Sequence, residues 1–139
     1  MGAEAVLIFN EDLKKDFKFH RKQAMQLSSK SRFLAAQFYA YLKNDLWKSL
    51  ANHVVSEAQF LAGELRKSHP DLVLAHPVES NALFLQIPAP LIKPLRERCF
   101  FYIWEQKRSL CRWMISFDWT RENSLALLSS ISEVKRNVL

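Results

Sequence analysis

Glycine is the scarcest structural signal in this sequence, with only two glycines among 139 residues. Gly63 lies inside a helical pattern, so only Gly2 is placed like a turn residue. Phosphate-binding glycine loops and dinucleotide-binding fingerprints both need several glycines at fixed spacings. The sequence therefore excludes both kinds of site, and any bound anion must be held by side chains or by helix N-termini.

Cysteine and metal-ligand patterns are also sparse. The two cysteines, Cys99 and Cys111, are too few for a disulfide framework and lie in apolar, strand-like surroundings. We therefore expect buried free thiols in a reducing compartment. The four histidines have no metal-ligand spacing with each other or with the cysteines. No metal site is predicted.

Long apolar runs are missing as well. No stretch is long enough to span a bilayer, and no secretory leader pattern is present at the start of the sequence. These features predict a soluble, cytoplasmic protein without a membrane partner.

The composition is that of a folded domain, with 49% hydrophobic and 24% charged residues. Twenty Lys and Arg against fourteen Asp and Glu give a net charge of +6. However, the cations mostly lie beside acidic residues, and the densest basic run, residues 14–30, contains no glycine-rich or aromatic-interleaved RNA motif. A solvated basic face is predicted rather than a nucleic-acid partner.

Residues 110–117 alternate between two unlike faces, which is the pattern of a strand. The face predicted to be core carries Trp113, Ile115 and Phe117. The opposite face carries Leu110, Arg112, Met114 and Ser116. An arginine on a strand face is usually a solvated or ion-paired surface residue. On a central strand beside a hydroxyl, the same guanidinium could bind a carboxylate.

The period of the apolar residues predicts an α+β fold. Residues 31–42 and 46–68 have helical periodicity and predict a helical hairpin. The remaining predicted elements are a first strand buried on both sides at 3–9, strands at 72–76, 81–87, 99–105 and 110–117, and helices at 91–98 and from 121 to about 137. The sum is a small antiparallel sheet of about four strands with helices on one face, preceded by the hairpin.

A second group of cations lies just before the helix predicted at 31–42. Lys22, Lys30 and Arg32 are most simply a solvated basic face. At the start of a helix they could also bind a phosphate, with the helix dipole assisting. From the residues alone, the sequence predicts a small α+β domain with a candidate anion site.

Three segments are similar, in order and in spacing, to one enzyme family. They are residues 2–10, residues 21–23 with 29–37, and residues 112–118 with Thr120. Together they resemble the C-terminal part of the low-specificity threonine aldolases, which are β-eliminating lyases dependent on pyridoxal phosphate with an aminotransferase-like α/β fold. Such enzymes cleave β-hydroxy-α-amino acids, threonine for example, to glycine and an aldehyde.

The resemblance implies an organisation and a set of site residues. Residues 1–19 would be a remnant of the large cofactor domain, a strand plus a short helix, and residues 20–139 the C-terminal small domain with its leading helices. Arg112 would bind the carboxylate of the amino-acid substrate. Lys22 or Arg32 would reach the cofactor phosphate in a neighbouring subunit, so a homo-oligomer is expected.

The resemblance also implies what this sequence does not supply. In the family the Schiff-base lysine lies just upstream of the first strand, so no lysine of these 139 residues is predicted to take that role. We therefore expect no catalytic residue in the chain, no pyridoxal phosphate bound to it alone, and no lyase activity by itself. The alternative is a non-catalytic basic binding or oligomerisation module.

Overall fold

The alternating segment near residue 112 forms a central strand of a four-stranded antiparallel sheet in the computed structural model, which describes residues 2–138. The chain divides into two compact units, Met1–Trp47 and Lys48–Leu139. The sheet lies in the second unit. The family-based division after residue 19 stays a prediction.

The first unit is helical. It contains α1 (Glu11–Lys14), α2 (Phe17–Gln23), α3 (Ser31–Leu42) and a 3-10 turn (Lys43–Asp45). The Asn10 side chain accepts a hydrogen bond from the Asp12 N–H at 2.8 Å and so caps α1. Asn44 adopts a left-handed conformation in the turn, with φ 56°, which ends the α3 path. The helix predicted at 31–42 is confirmed.

The strand predicted at residues 3–9 is wrong for this chain. The structure assigns no regular secondary structure to residues 2–10. Val6, Leu7 and Phe9 are 68%, 78% and 90% exposed. A strand requires a neighbouring strand to pair its backbone amides and carbonyls, and no strand of residues 2–138 pairs with this segment.

The second unit follows the predicted element order. It contains α4 (Leu46–Ser68), β1 (Val73–Leu74), β2 (Ala82–Gln86), α5 (Ala89–Arg96), β3 (Tyr102–Glu105), β4 (Leu110–Met114) and α6 (Arg121–Val138). A 3-10 turn, Gln106–Arg108, joins β3 to β4 as a hairpin. The sheet order is β1-β2-β4-β3, with every neighbouring pair antiparallel. The predicted α+β class is therefore confirmed.

The three helices of this unit, α4, α5 and α6, cover one face of the sheet. The buried core residues of these helices and of the two central strands are Ala58, Leu61, Ala62 and Leu65 of α4, Leu91 and Leu95 of α5, Leu127, Leu128, Ile131 and Val134 of α6, Leu83 and Leu85 of β2, and Cys111 and Trp113 of β4. Leu72, Ile87, Phe101 and Ile115, outside these elements, complete the core. In β2 Leu83 and Leu85 alternate with less buried residues, and in β4 Cys111 and Trp113 lie on either side of the half-buried Arg112, as a sheet with one covered face requires. Leu110, at the start of β4, is buried as well. The other face carries no helix of this unit's core.

β4 begins at Leu110 as predicted but ends three residues before the end of the predicted strand. Phe117 was expected in the core, but β4 ends at Met114 and Phe117 is 67% exposed. The chain turns at this point to enter α6, so the alternation stops before Phe117. Thr120 caps α6. Its N–H donates to Asn123 Oδ1 at 2.9 Å, and the Asn123 N–H donates to Thr120 Oγ1 at 3.4 Å.

Among residues 2–138, no helix combines the length and the apolar character that crossing a membrane would need.

An ion pair links α6 to the turn before β1. Lys135 donates a hydrogen bond to Asp71 Oδ1. Burial would raise the pKa of Asp71, but the bond from Lys135, a backbone hydrogen bond and nearby positive charge outweigh it and hold the pKa below its usual value. The native state therefore favours the carboxylate, so this contribution to stability is present above about pH 4 and is lost as the pH falls through the lowered pKa.

We expect Asp71→Asn to lower the free energy of unfolding at pH 7 by up to about 1 kcal/mol, because partly exposed ion pairs contribute in that range. The difference from the wild type should vanish in strong acid, where the wild-type carboxyl is also neutral. Urea unfolding at both pH values measures it. Glu79→Gln, which removes an exposed carboxylate outside the observed ion pairs, is the control, and equal effects of the two substitutions would contradict the assignment.

Candidate carboxylate site on the open face of the sheet

Arg112 lies in the middle of β4 on the face that the helices leave uncovered. Its chain neighbours Cys111 and Trp113 are buried in the core, whereas Arg112 itself is half-buried. The register places Phe84 of β2 and Tyr102 of β3 directly opposite it on either side. Arg112 is thus the charged member of a row that crosses three neighbouring strands.

Aromatic rings surround the Arg112 guanidinium. Its Cζ lies 4.7 Å from the Trp104 ring centroid and 5.3 Å from that of Tyr102, both within cation–π range. Phe84 makes edge-to-face contacts with Trp104 at 5.7 Å and with His76 at 5.3 Å. We call Phe84, Tyr102 and Trp104 the aromatic cluster.

No anion of the described chain neutralises this guanidinium. Within residues 2–138 Arg112 makes neither an ion pair nor a side-chain hydrogen bond, and its Nε is buried without a partner. An unsatisfied buried donor costs about 1–3 kcal/mol, and more if it is charged. A planar cation held in an apolar setting without a partner is suited to bind a carboxylate.

The predicted hydroxyl partner of Arg112 is not there. Ser116 was expected on the same strand face, but it lies beyond the end of β4 and donates its hydroxyl to Asp118. That hydrogen bond lowers the pKa of the Asp118 carboxyl. Because Ser116 is committed to Asp118, the site consists of a guanidinium and rings, without the hydroxyl.

The other two predicted site residues belong to the first unit. Lys22 lies in the last turn of α2 and Arg32 in the first turn of α3, and both are exposed. The Arg32 Cζ lies 5.1 Å from the neighbouring Phe33 ring. No ion pair in the described part of the chain involves either cation. Lys30, which precedes α3, has φ 58° and provides no side-chain cap.

The aromatic cluster was not predicted from the sequence. The sequence pattern places Trp104 and Tyr102 in the strand predicted at 99–105 but does not indicate that their rings meet Arg112. The signal was available in the hairpin, because residues two apart on β3 share a face and β3 pairs with β4. A bulge in the pairing between Ile103 and Glu105 leaves Trp104 without a Cα partner, and this detail could not be read from the pattern.

A separate apolar cavity lies on the core side of the sheet. Its volume is about 260 Å³, and it is lined by Leu61, Cys99, Phe100, Trp113, Met114, Ile115, Trp119 and Leu127. Burial raises the pKa of Cys99 to about 11, so this thiol is protonated and weakly nucleophilic at neutral pH. The described residues contain no cluster of three or more acidic, histidine or cysteine side chains that could hold a metal.

Comparison with known proteins gives the family. The low-specificity L-threonine aldolase of Pseudomonas aeruginosa is 42% identical over 123 residues, which are 86% of this chain and 35% of the relative. This chain is homologous to part of a low-specificity threonine aldolase. The enzyme of that name from a Pseudomonas species is 39% identical over 114 residues, covering 79% of this chain and 33% of the relative.

The threonine aldolase fold is also found among solved structures. A structure of the Leishmania major threonine aldolase matches 95% of this chain with a TM-score of 0.76 and 26% identity, and the match covers 38% of that protein. No protein-family model matches the chain. The chain thus spans about a third of the length of the relatives it matches, in agreement with the predicted resemblance to the C-terminal part of a threonine aldolase.

Proposed function

We propose that this chain is the C-terminal part of a pyridoxal-phosphate-dependent lyase that cleaves β-hydroxy-α-amino acids, threonine for example, to glycine and an aldehyde. The observation that carries the proposal is the unpartnered Arg112 guanidinium on the open sheet face of a chain whose homologues are threonine aldolases. The two free thiols, Cys99 and Cys111, support a cytoplasmic location.

In this proposal Arg112 orients the substrate. A guanidinium can donate two parallel hydrogen bonds to one carboxylate, which fixes the direction of the amino acid as well as its position. Lysine offers only a point charge and cannot reproduce that geometry. A substrate positioned in this way presents the bond to be broken in one orientation. Such orientation contributes a substantial part of enzymatic rate enhancement.

Lys22 and Arg32 are the residues we propose for the cofactor phosphate. Both are exposed cations without an ion-pair partner among residues 2–138, which is the donor chemistry that a phosphate needs. Bound pyridoxal phosphate would act as an electron sink during cleavage. No lysine of these 139 residues is assigned to hold it covalently.

The first test removes the guanidinium. In a full-length threonine aldolase that contains this chain, Arg112→Ala should raise the KM for threonine by roughly ten- to a hundredfold, because hydrogen bonds to charged groups contribute about 1.5–3 kcal/mol. Arg112→Lys should recover little of the loss. Steady-state kinetics with threonine measure both.

Arg108→Ala is the matched control. Arg108 belongs to the same hairpin but is already paired with Glu105 at 3.4 Å. Its replacement should leave KM nearly unchanged. If Arg112→Ala had the kinetics of the wild type, the carboxylate role would be rejected.

A second test concerns the 139-residue chain alone, which we infer to be inactive. After addition of pyridoxal phosphate, we expect no saturable absorbance band that responds to threonine, and no release of glycine. An absorbance titration followed by amino-acid analysis measures both. Because exposed lysines react weakly with any aldehyde, pyridoxal without its phosphate group serves as the control for such background. A one-to-one band that changes on addition of threonine would overturn the inference.

The alternative function, an oligomerisation module, has its own supporting observation. None of residues 2–47 is buried within the structure. The most exposed large apolar side chains of this stretch are Val6, Leu7, Phe9, Leu13, Phe19, Met25, Phe33, Tyr39 and Leu42. So much apolar surface without a core is typical of a segment that is covered by another protein surface. We propose that a second copy of the chain covers it.

Sedimentation velocity at increasing concentration tests this association. The wild-type chain should associate, and simultaneous replacement of Val6, Leu7 and Phe9 by Ser should lower its average mass. Phe100→Ser, which changes an equally apolar side chain that is 74% exposed in the second unit, should not. A wild type that stays monomeric at every concentration would reject self-association. Strongly salt-dependent binding to nucleic acid would instead favour a basic binding module.

A further inference from the structure

Arg112 lies on the strand between two rings, those of Phe84 and Trp104, that contact each other although their strands are not neighbours. Phe84 belongs to β2 and Trp104 to β3, and β4 lies between these strands. Strands two apart in a sheet are separated by about 9–10 Å. The Phe84 and Trp104 rings are nevertheless only 5.7 Å apart, so they must approach each other over β4. Arg112 is the β4 residue opposite Phe84.

This arrangement explains which guanidinium atoms are covered. The buried, unpartnered side-chain atoms include Arg112 Nε but neither of its Nη nitrogens. The inner nitrogen Nε is thus covered. Because Arg112 makes no side-chain hydrogen bond among residues 2–138, the absence of its Nη nitrogens from these buried, unpartnered atoms means that the two outer nitrogens keep some contact with solvent. A carboxylate that approaches from the open face can therefore reach Nη1 and Nη2, but not Nε.

A guanidinium can bind a carboxylate in two bidentate ways. In the side-on way the donors are Nε and one Nη, and in the end-on way they are the two Nη nitrogens. Side-on binding needs an accessible Nε, which is covered here. The electron-rich faces of the Trp104 and Tyr102 rings also attract the cation, because their centroids lie 4.7 and 5.3 Å from the Arg112 Cζ.

We propose that Trp104 and Tyr102 are positioning residues that hold Arg112 with Nε shielded, so that it binds a carboxylate end-on through Nη1 and Nη2. The proposal rests on the function proposed above for Arg112 and adds the residues that set its geometry. Trp104 has the larger role, because its ring is the closer one to Cζ and is the ring that meets Phe84.

A nuclear magnetic resonance titration of the 139-residue chain tests the binding mode directly. The probe is acetate, with chloride at equal ionic strength as the control, and the Arg112 signals are assigned by their loss in Arg112→Lys. Acetate should shift and sharpen the Nη–H signals and leave the Nε–H signal nearly in place. An Nε–H signal that moves as far as the Nη–H signals would show side-on binding and overturn the end-on geometry.

Substitution of Trp104 tests the positioning role. Trp104→Leu keeps apolar bulk but removes the ring, and should weaken acetate binding at Arg112 about threefold or more while freeing its Nε–H to exchange with water. Trp104→Phe keeps a ring and should restore most of the binding. Phe117→Leu changes an exposed ring beyond the end of β4 and should have no effect.

The outcomes separate the two proposals. If acetate does not perturb Arg112 at all, both the carboxylate role and its geometry are rejected. If acetate binds equally in the wild type and in folded Trp104→Leu, only the positioning role is rejected. The amide spectrum of Trp104→Leu shows whether this variant folds. If it does not, the response of the wild-type Nε–H signal to acetate still tests the end-on geometry, and acetate binding by Trp104→Phe still tests the positioning role.

Discussion

The unequal covering of the two sheet faces is the constraint on which the rest of the structure depends. One face of β2 and β4 packs against α4, α5 and α6 and supplies the hydrophobic core. Burial of apolar surface is the dominant favourable term in folding, so this face sets the register of the strands. Once the register is set, the face of the sheet on which Arg112 lies is fixed as well. It must lie on the open face, because a shift by one residue would bring the cation into the core.

The aromatic cluster determines how far the Arg112 guanidinium is exposed on the open face. An exposed arginine is mobile and gains little from any one partner, whereas a fully buried one would carry a large desolvation penalty. Rings on the neighbouring strands give an intermediate environment, in which the stem and Nε are covered and the outer nitrogens are not. A carboxylate supplied by the chain itself would have stabilised Arg112 more, but it would also have occupied the site. Rings stabilise a cation and still leave its charge available to a ligand.

Prediction of helices and strands from the sequence was accurate where the apolar residues repeat with a clear local period. α3 and α4 have long helical patterns and were located almost to the residue, and the hairpin of β3 and β4 followed from alternation and its turn. The failures concern features fixed by distant partners. The apolar run at residues 3–9 has strand composition but no strand to pair with, and the cluster around Arg112 depends on a contact across β4 and on a bulge. Neither leaves a periodic signal along the chain.

The two units differ in how far their own contacts fix the geometry of the predicted site residues. The second unit has its own core, so the geometry around Arg112 is fixed by contacts among residues after 47. In contrast, residues 2–47 bury no side chain, and Lys22 and Arg32 are both exposed, although Arg32 contacts the neighbouring Phe33 ring. A guanidinium held in place by its own unit is preorganised, which lowers the ordering cost of binding a ligand. The carboxylate role proposed for Arg112 therefore depends only on contacts within the second unit, because the strands and rings that surround the guanidinium all belong to that unit.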